Sequence, residues 1–170
     1  MHFTARLRFF LLHSILFATF LIAGCAYPLS DKAQKGSSKE LWTGRISLNI
    51  KSEPEQFFSA GFELKGKPDR GELTLISPLG SVLGVLRWSP GEAELDSGNQ
   101  KIQRFDSVDA LMAQATGAAV PLTALFAWLQ GDNANVSGWS ADLSRHGEGR
   151  ISAKRAQPTP QADLRVVLDQ

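Results

Sequence analysis

Alternation of apolar and polar residues with a period of two constrains the fold of this chain more than any other feature. Ile46, Leu48 and Ile50 fall on one face of an extended segment, and the residues between them are polar. This period is typical of a β-strand with one buried side and one solvent-facing side. Glycine- and proline-containing turns separate the segments by hairpin distances, so the predicted sheet is antiparallel. The other segments with strand patterns are 58–64, 73–75, 82–88, 93–95, 139–143, 150–154 and 164–168.

The period changes in the middle of the chain. From Val108 onwards apolar residues recur at positions i, i+3, i+4 and i+7, which is typical of a helix with one apolar face. Asp106 is the predicted N-cap of this helix and Gly117 its stop. A second short helix is predicted over Pro121–Gln130, with proline in its first turn and Gly131 at its end. The order of strands, two helices and strands predicts an α+β fold, with the helices against one face of a curved antiparallel sheet.

The first 25 residues have the pattern of a bacterial export signal. Arg6 and Arg8 precede an apolar run, 9–23, that is short for a membrane-spanning helix and ends in small residues. The cysteine that follows resembles the bacterial lipobox, in which the thiol receives diacylglycerol before cleavage. We therefore predict that residues 1–24 are a lipoprotein signal peptide and that Cys25 is lipidated. The alternative is a plain signal peptide, or a single anchor helix, with a chance cysteine after it.

The predicted mature chain has 146 residues, enough for one domain with a substantial core. Residues 25–40 are small and polar and predict a lipidated N-terminus followed by a flexible tether, and residues 41–170 form the folded domain. With the leader removed, 16 Lys and Arg residues face 17 Asp and Glu residues. This balance argues against nucleic-acid binding and against an electrostatic membrane clamp. Membrane attachment would then come from lipid rather than from charge.

The residue types needed for catalysis or metal binding are scarce. Cys25 is the only cysteine, so once it is lipidated the chain has no thiol for a disulfide or a thiolate metal site. His146 is the only histidine after the leader, and its polar neighbours predict a solvated loop residue rather than a general base. The carboxylates are scattered, and no phosphate-binding loop or nucleophile elbow is present. The sequence predicts no enzyme activity, metal or cofactor.

One predicted turn places an apolar residue at its apex. Ser77 and Pro78 suit the first two positions of a β-turn, and Gly80 suits the fourth. Leu79 is then left at the tip between two strands, where a side chain usually points to water. Either Leu79 folds back onto the sheet or is simply an exposed leucine, or it has an apolar target outside the domain.

Several motifs resemble the LolB family of outer-membrane lipoprotein receptors. The strand and turn Leu73–Gly80 is similar to the (S/N)PLG segment of that family. Five further segments follow the family's order, and the resemblance spans residues 42–169. They are the opening strand 44–48, the helix segment 109–111, the proline-to-glycine helix 120–131, the Gly-Trp pair 138–139 and the terminal strand 163–169. The family usually has a helix before its first strand, which residues 26–41 do not predict, and the segment after Gly131 predicts one missing or short strand.

The resemblance implies a fold and a function. The fold would be an incomplete, half-open antiparallel β-barrel closed by short helices over an apolar cavity. The protein would be a monomer, anchored to the outer membrane and facing the periplasm. It would accept acylated lipoproteins from a periplasmic carrier resembling LolA and insert them into the inner leaflet. Pro78, Leu79 and Gly80 would form a loop that inserts among outer-membrane phospholipids. Ala26, after Cys25, fits outer-membrane sorting.

An acyl-chain cavity needs more apolar surface than a thin sheet and two helices require for packing. The aromatic residues are plentiful for such a small sheet, and the predicted inward positions on strands and helices supply the cavity candidates. The alternative is that these side chains fill a core, which would make the protein a structural or scaffolding lipoprotein without a lipid ligand. The candidates are Phe58, Phe62, Leu64, Leu73, Leu75, Leu86, Trp88, Leu122, Leu125, Trp128 and Leu129.

Overall fold

The computed structural model describes residues 41–98 and 101–170. The predicted signal peptide at 1–24, the lipidation of Cys25 and the tether at 25–40 lie outside the described residues and stay predictions. Among the residues that are described, no helix is both long enough and apolar enough to cross a membrane.

The described residues form a nine-stranded antiparallel sheet with two helices between the sixth and seventh strands. The strands pair in the order β6-β5-β4-β3-β2-β1-β9-β8-β7, and within the described ranges the outer strands β6 and β7 do not pair with each other. The sheet is therefore open, and the predicted antiparallel α+β architecture is confirmed. The strands are β1 Leu41–Lys51, β2 Gln56–Lys67, β3 Arg70–Ile76, β4 Val82–Ser89, β5 Glu92–Asp96, β6 Ile102–Phe105, β7 Trp139–Asp142, β8 Arg150–Arg155 and β9 Gln161–Leu168.

One strand is absent from the sequence prediction. β6 has only four residues and lies at an edge of the sheet, where Ile102, Gln103 and Arg104 are exposed and Phe105 is half-buried. A strand with no buried face does not need the alternation on which the prediction depends. At the other edge, β7 is also four residues long, which fits the expected short strand after Gly131.

The two helices begin slightly differently from the prediction. Helix α1 spans Val108–Thr116, and its N-cap is Ser107 rather than Asp106, because the Ser107 hydroxyl accepts a hydrogen bond from the Ala110 backbone N–H at 3.1 Å. Helix α2 spans Leu122–Gln130, and Pro121 lies just before it as the N-cap instead of in the first turn. Both helices end at the predicted glycines, which adopt positive φ values of 64° and 87°.

Aromatic side chains from α2 fill one end of the sheet. The Phe126 ring lies edge-on to Trp42 at 5.3 Å and to Trp88 at 6.3 Å between ring centroids. The Trp88 indole also donates a hydrogen bond to the Lys67 carbonyl, beside the β2–β3 turn. Such edge-to-face contacts stabilise the packing beyond area burial alone. The end of the sheet that carries the β2–β3 and β4–β5 turns is therefore a packed core.

Arg155 on β8 is a buried cation that bonds to backbone carbonyls. Its side chain donates to the carbonyl of Ala118, in the connection between the two helices, and to the carbonyl of Pro160 at 2.7 and 3.2 Å. The guanidinium carbon also lies 5.9 Å from the centre of the Trp139 ring. Burial lowers the pKa of Arg155 from its ordinary value. Arg155 thus links the β8–β9 turn to the connection between the two helices.

We expect Arg155→Ala to lower the free energy of unfolding by about 2–4 kcal/mol, because it leaves two carbonyls without their charged donor. For a domain of this size the corresponding drop in Tm is roughly 5–15 °C. Arg150→Ala is the matched control, since Arg150 lies on the same strand but is exposed. Thermal unfolding followed by circular dichroism compares the two variants. Equal shifts in Tm would contradict a special role for Arg155.

Candidate functional site: an apolar cleft and an exposed hairpin tip

An apolar cleft of about 430 Å³ lies between the inner face of the sheet and the two helices. This volume falls in the range of roughly 300–1,000 Å³ that is usual for ligand pockets. Met112, Ala115 and Thr116 contribute from α1 and Leu125 from α2. The other lining residues come from β1 to β5, β9 and the connections: Ile46, Leu48, Ile50, Gln56, Phe57, Phe58, Leu73, Leu75, Leu83, Gly84, Leu86, Leu95, Ser97, Val120 and Leu164.

The two helices are much shorter than the longest strands of the sheet and cover only part of its inner face. Each helix has nine residues and spans about 13 Å. Strand β2 has twelve residues and spans about 40 Å. α2 packs its aromatic residues on one end of the sheet, so the inner face of the sheet towards the other end has no full helical cover. The alternating pattern keeps that face apolar although it is not filled.

The structure divides the eleven predicted cavity residues into two groups. Five line the cleft: Phe58, Leu73, Leu75, Leu86 and Leu125. Six are buried in the packed core and do not line it: Phe62, Leu64, Trp88, Leu122, Trp128 and Leu129. Leu64 and Trp128 are fully buried. These six side chains point inwards as expected, but they have no surface on the cleft with which to contact an acyl chain.

Other residues of the cleft wall were not among the predicted cavity residues. Ile46, Leu48 and Ile50 were predicted only as the buried face of a strand, and all three line the cleft. The signal that identifies them is the register. Leu48 pairs with Phe58 on one side and with Leu164 on the other, so the inward residues form a continuous row across β2, β1 and β9.

The turn between β3 and β4 has the predicted geometry. The Gly80 N–H donates to the Ser77 carbonyl at 2.9 Å, and the Ser77 N–H donates to the Ser81 carbonyl at 2.8 Å. The Ser77 hydroxyl also accepts from the Ser81 N–H at 3.1 Å. Gly80 has a φ of 84°, a conformation that glycine adopts readily. Leu79 is 94% exposed, so its side chain does not fold back onto the sheet.

The mouth of the cleft opens at the end of the sheet where this turn lies. Phe57, Phe58 and Leu83 all line the cleft and are also substantially exposed. Phe57 and Phe58 follow the β1–β2 turn, and Leu83 follows the β3–β4 turn. Both hairpins therefore bring apolar residues to the same end of the sheet. A pocket with an apolar wall and an apolar mouth suits a long, flexible, apolar ligand.

His146 lies elsewhere and does not face the cleft. It begins a short 3₁₀ turn, His146–Glu148, and a ring nitrogen lies 3.1 Å from the Leu129 carbonyl. The ring also packs against Gly131, where an added Cβ would come within 3.0 Å of it. The prediction of a solvated loop residue is therefore wrong in part, because His146 is half-buried against the end of α2. Its partner is a backbone carbonyl.

Comparison with known proteins identifies the family of this chain. The model of the family described as outer membrane lipoprotein LolB matches residues 41–162. The chain belongs to the LolB family. The match confirms the resemblance inferred from the motifs, and both the LolB turn at 77–80 and the helix 122–130 fall inside it.

Individual LolB relatives are moderately similar. The outer-membrane lipoprotein LolB of Cupriavidus pinatubonensis is 32% identical over 139 residues, which covers 79% of this chain and 66% of that protein, just under two thirds of its length. The LolB of Bordetella petrii is 29% identical over 176 residues and covers 88% of this chain and 87% of that protein. The LolB of Cupriavidus necator is 30% identical over 139 residues, which covers 79% of this chain and 70% of that protein.

Proposed function

We propose that this chain is an outer-membrane lipoprotein receptor. It is anchored through lipidated Cys25, faces the periplasm and acts as a monomer. It accepts the acyl chains of client lipoproteins from a soluble LolA-like carrier. It then inserts the clients into the inner leaflet of the outer membrane. The observation that carries the proposal is the apolar cleft, whose mouth lies at the same end of the sheet as the exposed Leu79.

The need for such a receptor follows from the cost of exposing acyl chains to water. Each CH₂ group removed from water contributes roughly 0.8 kcal/mol, so an acylated protein cannot cross an aqueous compartment without cover. The cleft provides that cover with Leu48, Leu73, Leu86 and Leu125 among its walls. These residues make apolar contacts without directional bonds, which suits clients that share their lipid and differ in sequence.

The transfer from carrier to receptor has to run downhill without nucleotide hydrolysis. A receptor cleft that binds the acyl chains ten times more tightly than the carrier provides about 1.4 kcal/mol. Release into the bilayer then requires the cleft mouth to approach the membrane. Leu79 serves this step by entering the headgroup and acyl region from the tip of the β3–β4 hairpin.

The anchor and the acceptor activity have separate roles in this proposal. Acyl chains on Cys25 keep the receptor at the membrane, and two or more chains give stable attachment. The described residues contain both the packed core and the cleft. A Cys25→Ala protein with a cleavable signal is therefore expected to accept clients in solution.

Saturable binding of a fluorescent fatty acid by the Cys25→Ala protein tests the cleft directly. About ten buried CH₂ groups, at roughly 0.8 kcal/mol each, correspond to a Kd of about 1 μM before ordering costs. An unlabelled acyl peptide should displace the probe. A structural lipoprotein with a filled core predicts no saturable signal, and that result would reject the receptor proposal in favour of a scaffolding role.

A further inference from the structure

Exposed large apolar side chains are concentrated at the end of the sheet that carries the β1–β2 and β3–β4 turns. Eight such residues occur among the described residues, and five of them lie at the cleft mouth or beside the β3–β4 turn: Phe57, Phe58, Leu79, Val82 and Leu83. Phe57 is 73% exposed and Val82 is 59% exposed, and exposed apolar residues gathered at one end of a sheet mark an interaction surface. The exposure therefore extends well beyond the single leucine of the turn.

Three of these residues belong to both the cleft and the outer surface. Phe57, Phe58 and Leu83 line the cleft and are 73%, 39% and 43% exposed. Val82 precedes Leu83, and only Gly80 and Ser81 lie between Val82 and Leu79. We call Phe57, Val82 and Leu83 the rim. The rim therefore places exposed apolar residues both at the wall of the cleft and next to the hairpin that carries Leu79.

We infer that the rim, led by Phe57, contacts the phospholipid bilayer together with Leu79, so that acyl chains leave the cleft directly into the membrane. This inference rests on the proposed function. The position of the rim supports it, since an acyl chain that leaves the cleft towards Leu79 passes exposed apolar side chains. A gap would slow release by roughly fourfold for each CH₂ group exposed in the barrier.

Charged residues set the limit of this contact. Lys51 at the end of β1 and Glu53 and Glu55 in the β1–β2 turn lie near Phe57 in the sequence and are all exposed. Charges of both signs give no net electrostatic attraction to anionic lipid, so the contact depends on the apolar rim. The carboxylates also stay in the headgroup region, because a charge is costly to bury in hydrocarbon. Contact at the rim is therefore shallow.

Tryptophan reporters test the inference in the mature, lipidated chain reconstituted into phosphatidylethanolamine and phosphatidylglycerol vesicles with brominated acyl chains. The variants are Phe57→Trp, Leu79→Trp and, as the control, Val167→Trp, an exposed apolar position on β9. The four native tryptophans are buried, so the unsubstituted protein provides the baseline. We expect bromine to quench the added emission at positions 57 and 79 at least about twofold more than at position 167.

The outcomes separate the inference from the function on which it rests. Quenching at position 79 but only control-level quenching at position 57 would overturn the rim contact and leave the receptor proposal standing. Control-level quenching at both positions would reject membrane insertion of the hairpin itself. Quenching at both positions supports the inference.

A delivery measurement gives a second, independent test. Val82→Asn is expected to keep client acceptance, because Val82 belongs to the rim but does not line the cleft, and to slow delivery to vesicles about tenfold, because it removes an apolar group from the exit. Val82→Leu keeps the apolar character and should deliver within about twofold of the parent. Delivery by Val82→Asn at the parent rate would overturn the role of the rim.

Discussion

Replacing Leu79 with glutamate is expected to abolish delivery of clients to membranes while leaving client acceptance intact. Leu79 is 94% exposed at the hairpin tip and does not line the cleft, so its removal changes neither the fold nor the acyl-binding walls. The substitution removes a leucine that contributes about 1.5–3 kcal/mol when buried in lipid and adds a charge that resists insertion. Delivery should fall roughly 100-fold or more.

Two variants control for this result. Leu79→Met keeps an apolar side chain of similar volume and should deliver at close to the parent rate. Val167→Glu places the same charge at another exposed apolar position and should have little effect. The rates are measured as transfer of a labelled client from the loaded protein to vesicles. If Leu79→Glu delivers at the parent rate, the membrane role of the turn is wrong.

The second large effect is expected from narrowing the cleft. Ala115 lies on α1, lines the cleft and is exposed, so Ala115→Trp introduces a large ring at the wall without disturbing the packed core. Displacing about three CH₂ groups of a bound chain, at roughly 0.8 kcal/mol each, costs about 2.4 kcal/mol and weakens acyl binding roughly 50-fold. Fluorescent fatty-acid titration measures the change.

Ala113→Trp is the matched control for this variant. Ala113 lies on the same helix, is also exposed and does not line the cleft. Its affinity for the probe should stay within about twofold of the parent. Equal affinities of the two tryptophan variants would place the acyl-binding surface somewhere other than this cleft.

The sequence predicted the strands well where burial leaves a pattern. β1 and β2 alternate because one face of each is packed or lines the cleft, and the turn at 77–80 follows from the conformational preferences of proline and glycine. β6 escaped because its residues are largely exposed and carry no alternation. The choice of Ser107 over Asp106 as N-cap also escaped, since both residue types cap helices equally well.

The membership of the cleft was harder to predict than the fold. Alternation indicates which residues point inwards, but not whether the space in front of them is filled. Phe58 and Phe62 share one face of β2, yet Phe58 lines the cleft and Phe62 is buried in the core. The difference depends on where α2 packs, which is a tertiary property. Phe57 escaped for a related reason, because alternation assigns it to the outer face of the same strand.

The most direct test of the receptor proposal is transfer of a labelled lipoprotein from a loaded LolA-like carrier to the Cys25→Ala protein in solution. After mixing and size-exclusion chromatography, we expect the label to leave the carrier and to elute with this chain in a saturable one-to-one complex. Ala115→Trp should reduce this transfer, and Leu79→Glu should not. The receptor proposal would be contradicted if the label stays on the carrier both with the soluble protein and with the lipidated chain in vesicles.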